Sequence, residues 1–153
     1  MRLLIVLLLI GFSFPAISQE SVSVDSLSKG EEKMLGIWKY DLPNQKREIP
    51  SGGNFQSNET GKAEEKRFWK KTESWICHLK ENKTFLRAWV ENGSLQEQEG
   101  TWVFDEVSRI LTLRFEKEDL AYEVVFQENG QLWKPLKKEK EEFNLLFLKR
   151  LGS

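Results

Sequence analysis

Cysteine and histidine are almost absent: the 153-residue chain has one of each, Cys77 and His78. A lone cysteine forms no internal disulfide, so a domain of this size must stand on its core. A zinc site takes three or four ligands, and one His with one Cys cannot supply them without unusual carboxylates. The two residues are adjacent, and neighbours on a strand point to opposite faces. They therefore cannot form the side-by-side pair of thiol catalysis, and Cys77 reads as buried with His78 exposed. Also missing are a glycine-rich phosphate loop, a nucleophile elbow and a metalloprotease helix. Neither sign of charge dominates, with 23 Lys and Arg against 24 Asp and Glu. That balance argues against nucleic acid or an anionic membrane as partner.

Carboxylates are plentiful, but they occur in runs. Glu97 and Glu99 alternate with Gln96 and Gln98 along one predicted strand, and an outward polar face explains them better than an acid–base pair. The run "KKEKEEF" at 137–143 reads as a solvated loop. No residue is assigned a catalytic role, the chain is not expected to be an enzyme, and no cofactor or metal is expected.

The one long apolar run stands at the start. Met1-Arg2 is a short positive n-region, Leu3 to Phe14 is almost unbroken apolar sequence, and Pro15 breaks it. Ala16-Ile17-Ser18 then offers small residues at the positions a signal peptidase reads. The run is about 12 residues, short of the roughly 20 that a spanning helix needs. Residues 1–18 therefore read as a signal peptide. No cysteine follows the expected cleavage site, so no lipid anchor is expected. The mature chain is expected to be exported and soluble, in a periplasm or outside the cell, without stable membrane insertion.

Residues 19–33 read as a flexible leader ending in a short helical turn, with Ser28 and Glu31 spaced as a capping box. Gly36 ends that turn, and from there the pattern has period two. Eight strands are predicted, at 36–42, 73–80, 84–91, 97–104, 109–116, 120–127, 131–136 and 143–150. Turn chemistry separates them, including Asn92-Gly93 and Asn129-Gly130, both suited to tight hairpins. Short connections imply antiparallel neighbours, and eight in sequence imply an all-β, antiparallel up-and-down barrel over 34–153. The 43–72 stretch fits less easily. Its first part reads as a long loop, and Lys62 to Lys71 as a short helix, an extension of the second strand, or both halves of a bent segment.

Several short motifs carry a resemblance. They are the helical turn before Gly36-x-Trp38, the hairpin "LKENKTF" at 79–85, "GTWVFDEVSRILTLRF" at 100–115, and the closing "LLFLKR" at 145–150. Over most of 34–150 the chain resembles the lipocalin-like domains exported by Bacteroidetes-type bacteria. The resemblance implies that Trp38 packs across the closed end of the barrel. It also implies a cation–π partner from the last strand, Arg150 or Lys149, while Gly36 lets the chain pass tightly.

Six tryptophans and ten phenylalanines remain to be placed. They either line a pocket at the open mouth or fill a barrel whose interior is just wide enough for side chains. Arg87 lies between Phe85 and Trp89 on one strand face. If that face points inward, Phe85, Arg87 and Trp89 stand beside Trp75 and Tyr122 as an aromatic site with one positive anchor. An anionic ligand or a carboxylate such as Glu99 would then pair with the arginine. The competing register puts Leu86, Ala88 and Val90 inside. The leading reading is an exported lipocalin-like binding module for a small apolar or amphipathic ligand. The alternative is a protein-binding or inhibitory barrel that acts through the 43–72 loop and holds no small molecule.

Overall fold

A computed structural model describes residues 26–48, 58–137 and 143–152. The segment expected to be a signal peptide, most of the leader, the middle of the 43–72 stretch and most of the 137–143 charge run lie outside the described residues. A short helix, α1 (Lys29–Met34), precedes strand β1 (Gly36–Tyr40). Two helices follow, α2 (Leu42–Glu48) and α3 (Glu59–Ser74). Seven more strands complete the chain: β2 (Ile76–Leu79), β3 (Thr84–Glu91), β4 (Ser94–Asp105), β5 (Ile110–Arg114), β6 (Asp119–Gln127), β7 (Gly130–Pro135) and β8 (Leu146–Arg150). Each strand pairs antiparallel with the next, and β8 returns to β1, closing the barrel. The all-β, up-and-down fold of about eight strands with a short N-terminal helix is therefore what the chain adopts.

Alternation decides which side chains enter the barrel. Trp38 and Tyr40, then Trp75, Cys77 and Leu79, then Trp102 and Phe104, and so on to Leu146 and Leu148, are buried in one contiguous cluster. Trp102, Trp133, Leu111, Leu113 and Val124 have no exposed surface at all. Large rings thus occupy the middle of the barrel, as expected where eight strands leave room for little else.

One end is floored by α1. Ser28 and Glu31 form the capping box at its N-terminus, and Met34 at its other end is wholly buried. A helix leaves its last carbonyls without internal partners, and here the barrel supplies them. Gln131 Nε2 donates to the Lys33 carbonyl at 2.9 Å, and Trp38 Nε1 to that of Met34 at 2.7 Å. Arg150 Nη2 donates to the carbonyl of Leu35, and its guanidinium carbon lies 5.3 Å from the Trp38 ring centroid. Of the two last-strand cations, Arg150 is the one over the ring. Gly36, at φ 114°, makes the sharp exit from α1, and a Cβ there would stand 3.1 Å from Arg150 Nε.

A second tie holds α1 from the side. Lys83 Nζ forms an ion pair with Glu31 Oε1 and lies 4.5 Å from the Trp102 ring centroid. Partial burial pushes the Glu31 carboxyl up. The Lys83 hydrogen bond and charge and the Ser28 backbone N–H outweigh that and hold it below its ordinary value. A carboxylate with a lowered folded-state pKa contributes stability above its unfolded value and loses it as pH falls through the folded value. In urea melts, parent and Glu31→Gln should therefore differ at neutral pH and converge towards acid. A gap that stays constant through the carboxylate range would show that Glu31's charge does not hold the floor.

The 43–72 stretch is the main departure from the sequence reading. Its start is helical rather than a loop, with Pro43 in the first turn, where its missing N–H is harmless. Gln45, fully buried, explains the docking of α2: its Nε2 donates to Leu145 O at 2.8 Å, and its Oε1 accepts from Phe147 N at 2.9 Å. Helix α3, capped by Asn58, runs on through Ser74. The first two predicted residues of the second strand are therefore helical, and Lys62 to Lys71 is helix rather than strand.

Candidate functional site

The helical end of the barrel differs in character from the floor. Tyr40, at the upper end of β1, and Trp75, the residue between α3 and β2, pack with tilted rings whose centroids are 4.8 Å apart. Above them, Phe143 packs on Tyr40 at 5.3 Å and on Phe68 of α3 at 5.4 Å, and Phe68 meets Trp69 edge-on. Lys46 of α2 lies 5.1 Å from the Trp69 ring centroid. This cap is built from side chains far apart in sequence.

Arg87 stands below the cap on the inner face of β3. Its guanidinium carbon is 5.6 Å from the ring centroids of both Trp75 and Phe115. Phe85, almost fully buried, meets Phe115 edge-on at 5.0 Å. Trp75, Phe85 and Arg87 are thus brought together, with Phe115 as the joining ring. Trp89 is partly buried against the same core, with its indole N–H facing Glu91 Oε2 at 3.5 Å. Tyr122 stands further round the wall, packed on Trp133 at 5.4 Å. The alternative register, with Leu86, Ala88 and Val90 inside, is not adopted. Ala88 is buried, but outside the core cluster, paired across from Ile76. Glu99 is paired across from Leu86 on the outer face, so it does not meet Arg87.

Sequence reasoning passed over Phe115 as a site residue. Its place on the face of Leu111 and Leu113 was the available signal. At the rim nearby, a hollow of 170 Å³ is lined by Leu120, Tyr122, Pro135, Glu118, Asp119 and Lys137. Its volume is about that of six waters in the liquid and below the roughly 300 Å³ at which drug-sized pockets begin. Cys77 is buried and His78 half-exposed on the opposite face. Among the described residues, no three His, Cys, Asp or Glu side chains cluster as metal ligands. No helix of the described residues is long and apolar enough to cross a membrane.

These features define a closed eight-stranded antiparallel β-barrel, floored by one helix and capped by two. No protein-family model matches the chain, and neither a curated protein nor a solved structure matches it significantly.

Proposed function

We propose that the protein is an exported, lipocalin-like binding module, not an enzyme, that takes a small amphipathic acid at its helical end. The observation that carries this reading is Arg87, a cation on the inner face of the barrel held between the rings of Trp75 and Phe115. A half-buried arginine set among rings suits an anion bearing an apolar group, because the rings take the apolar part while the guanidinium binds the charge. The filled lower barrel and the small rim hollow favour a short ligand over a long-chain lipid. Trp75, Phe85, Arg87, Trp89 and Tyr122 are its proposed contacts, with Phe115 added by the geometry.

Arg87→Met is the discriminating change, since it keeps length and apolar bulk while deleting the charge. Calorimetric titration with carboxylic acids of graded chain length should show binding to the parent that weakens about tenfold or more in the variant, equivalent to about 1.4 kcal/mol, with little change in melting temperature. Equal binding by both proteins, or binding by neither, would remove the pocket. Native mass spectrometry of protein from its own host tests the rest of the reading. It should give a chain beginning at Gln19 with a small molecule retained.

A second reading is favoured by the barrel interior. Because rings fill its centre, the helical cap itself can be the working surface, presented to a protein. Retention of no small molecule, together with an unaltered Arg87→Met variant, would favour it.

A further inference from the structure

Strand β4 is 12 residues long, whereas its neighbour β5 has 5. The β4–β5 register ends at Thr101 opposite Arg114, where β5 turns away. On its other side β4 stays paired with β3 all the way to Ser94 opposite Glu91. The β3–β4 hairpin therefore projects past the β5–β6 turn as a two-stranded arm. Asn92 at φ 52° and Gly93 at φ 81° form its tip, the positive-φ pair of a tight hairpin, which fixes the register.

The register says where the backbone of the arm points. Trp102 N donates to Lys83 O at 2.8 Å, so the even-numbered residues of β4 face β3. In an antiparallel ladder the odd-numbered residues then face the other way. Thr101, Val103 and Asp105 use that side to pair with β5. Leu95, Glu97 and Glu99 turn an amide and a carbonyl to the same side, where no strand among the described residues pairs with them. The β3 edge of the arm is treated differently. Ser74 Oγ caps the Val90 N–H at 2.8 Å, and Lys71 pairs with Glu91 at 3.2 Å. One edge is covered by α3, and among the described residues nothing pairs with the other.

From this asymmetry we infer that the Leu95–Glu99 edge of β4 is a strand-addition site for an extended, basic peptide segment of a partner protein. The edge spans about 17 Å at roughly 3.4 Å per residue, and a peptide laid along it continues the sheet with main-chain hydrogen bonds. Leu95, Glu97 and Glu99 are all exposed on the outer face, where alternate side chains of an added strand would lie beside them. The β5–β6 turn, which begins where β5 parts from β4 at Thr101, carries exposed Glu116, Glu118 and Asp119 with Arg114 and Lys117. The excess is acidic, so a cationic strand fits. A second copy of this chain fits poorly. Symmetric antiparallel pairing over the whole edge sets Glu97 against its own copy, and like charges directly opposite are destabilising.

The test uses the mature chain and a fluorescein-labelled decapeptide of alternating valine and lysine, read by fluorescence anisotropy. Controls are the same peptide N-methylated at alternate residues and its glutamate counterpart. Glu97→Pro removes an outward N–H without touching the β3 ladder, a position where strands accept proline, and its melting curve should match the parent's. Binding should weaken about tenfold in Glu97→Pro and in the double variant Glu97→Lys/Glu99→Lys, and should be lost with the N-methylated peptide. Equal binding of the N-methylated peptide would reduce the surface to charge attraction and overturn strand addition. So would the absence of binding by the parent. Sedimentation of the parent as a dimer that Glu97→Pro converts to monomer would assign the edge to a second copy instead.

Discussion

Replacing Trp38 with alanine should cost the fold about 3–5 kcal/mol, the range for removing a large buried ring. Three connections fail together at this position. The ring is 3% exposed and belongs to the central cluster, so its loss leaves a cavity at the closed end. Its indole N–H also vanishes, and the Met34 carbonyl it bonds at 2.7 Å loses its partner inside the floor. Arg150 loses the face on which it stacks. Guanidinium denaturation should show a lower midpoint. Trp38→Phe should recover part of the loss, since it restores ring area but not the N–H. If Trp38→Ala melts like the parent and fails only in ligand binding, the residue belongs to a pocket and not to the floor.

The second large effect is expected at Gly100, in the Gly-Thr-Trp stretch. Its backbone is not in the left-handed region. What matters is room. A Cβ at Gly100 would stand 2.1 Å from the Arg114 carbonyl oxygen and 2.8 Å from Phe85 Cε1. A ring can tilt away, but a main-chain carbonyl cannot do so without moving the strand. At this level β5 leaves the sheet and brings Phe115 onto Phe85 and Arg87. Gly100→Ala should therefore cost about 3 kcal/mol, the upper end for overpacking, and should also disturb the rings around Arg87. A denaturation midpoint indistinguishable from the parent's would mean that the two strands have slack there.

What could be read from the sequence was what is encoded locally. The Asn92-Gly93 turn, the alternation of Leu111, Leu113 and Phe115, and the Ser28–Glu31 capping box each declare themselves within a few residues, and strands, register and α1 follow from such signals. Helix α2 does not declare itself. "LPNQKRE" has no apolar period, and its buried residue is a glutamine bonded to a backbone 100 residues later in the chain. The fate of Lys62 to Lys71 likewise depends on Phe68 and Trp69 meeting Phe143. At the site, β3 alone shows that Phe85, Arg87 and Trp89 share a face but leaves two registers open. The rings of Trp75 and Phe115 decide that this face points inward. The ring completing the Arg87 sandwich, Phe115, comes from two strands away; its alternation with Leu111 and Leu113 marks an inward face but not its meeting with Arg87. The open edge of β4 is a mismatch in strand length that boundaries blurred by a few residues conceal.

The floor also constrains the order of events during synthesis. A helix of 6 residues is far below the roughly 12–15 needed for even marginal stability alone. Its terminal carbonyls wait for Gln131 and Arg150, the latter 115 residues downstream of Leu35. The same wait applies to β1, whose second neighbour is β8. The chain's beginning is thus committed last, by its end. Until the final strand emerges from the ribosome the barrel cannot close, and α1 and β1 lack the partners that hold them in place.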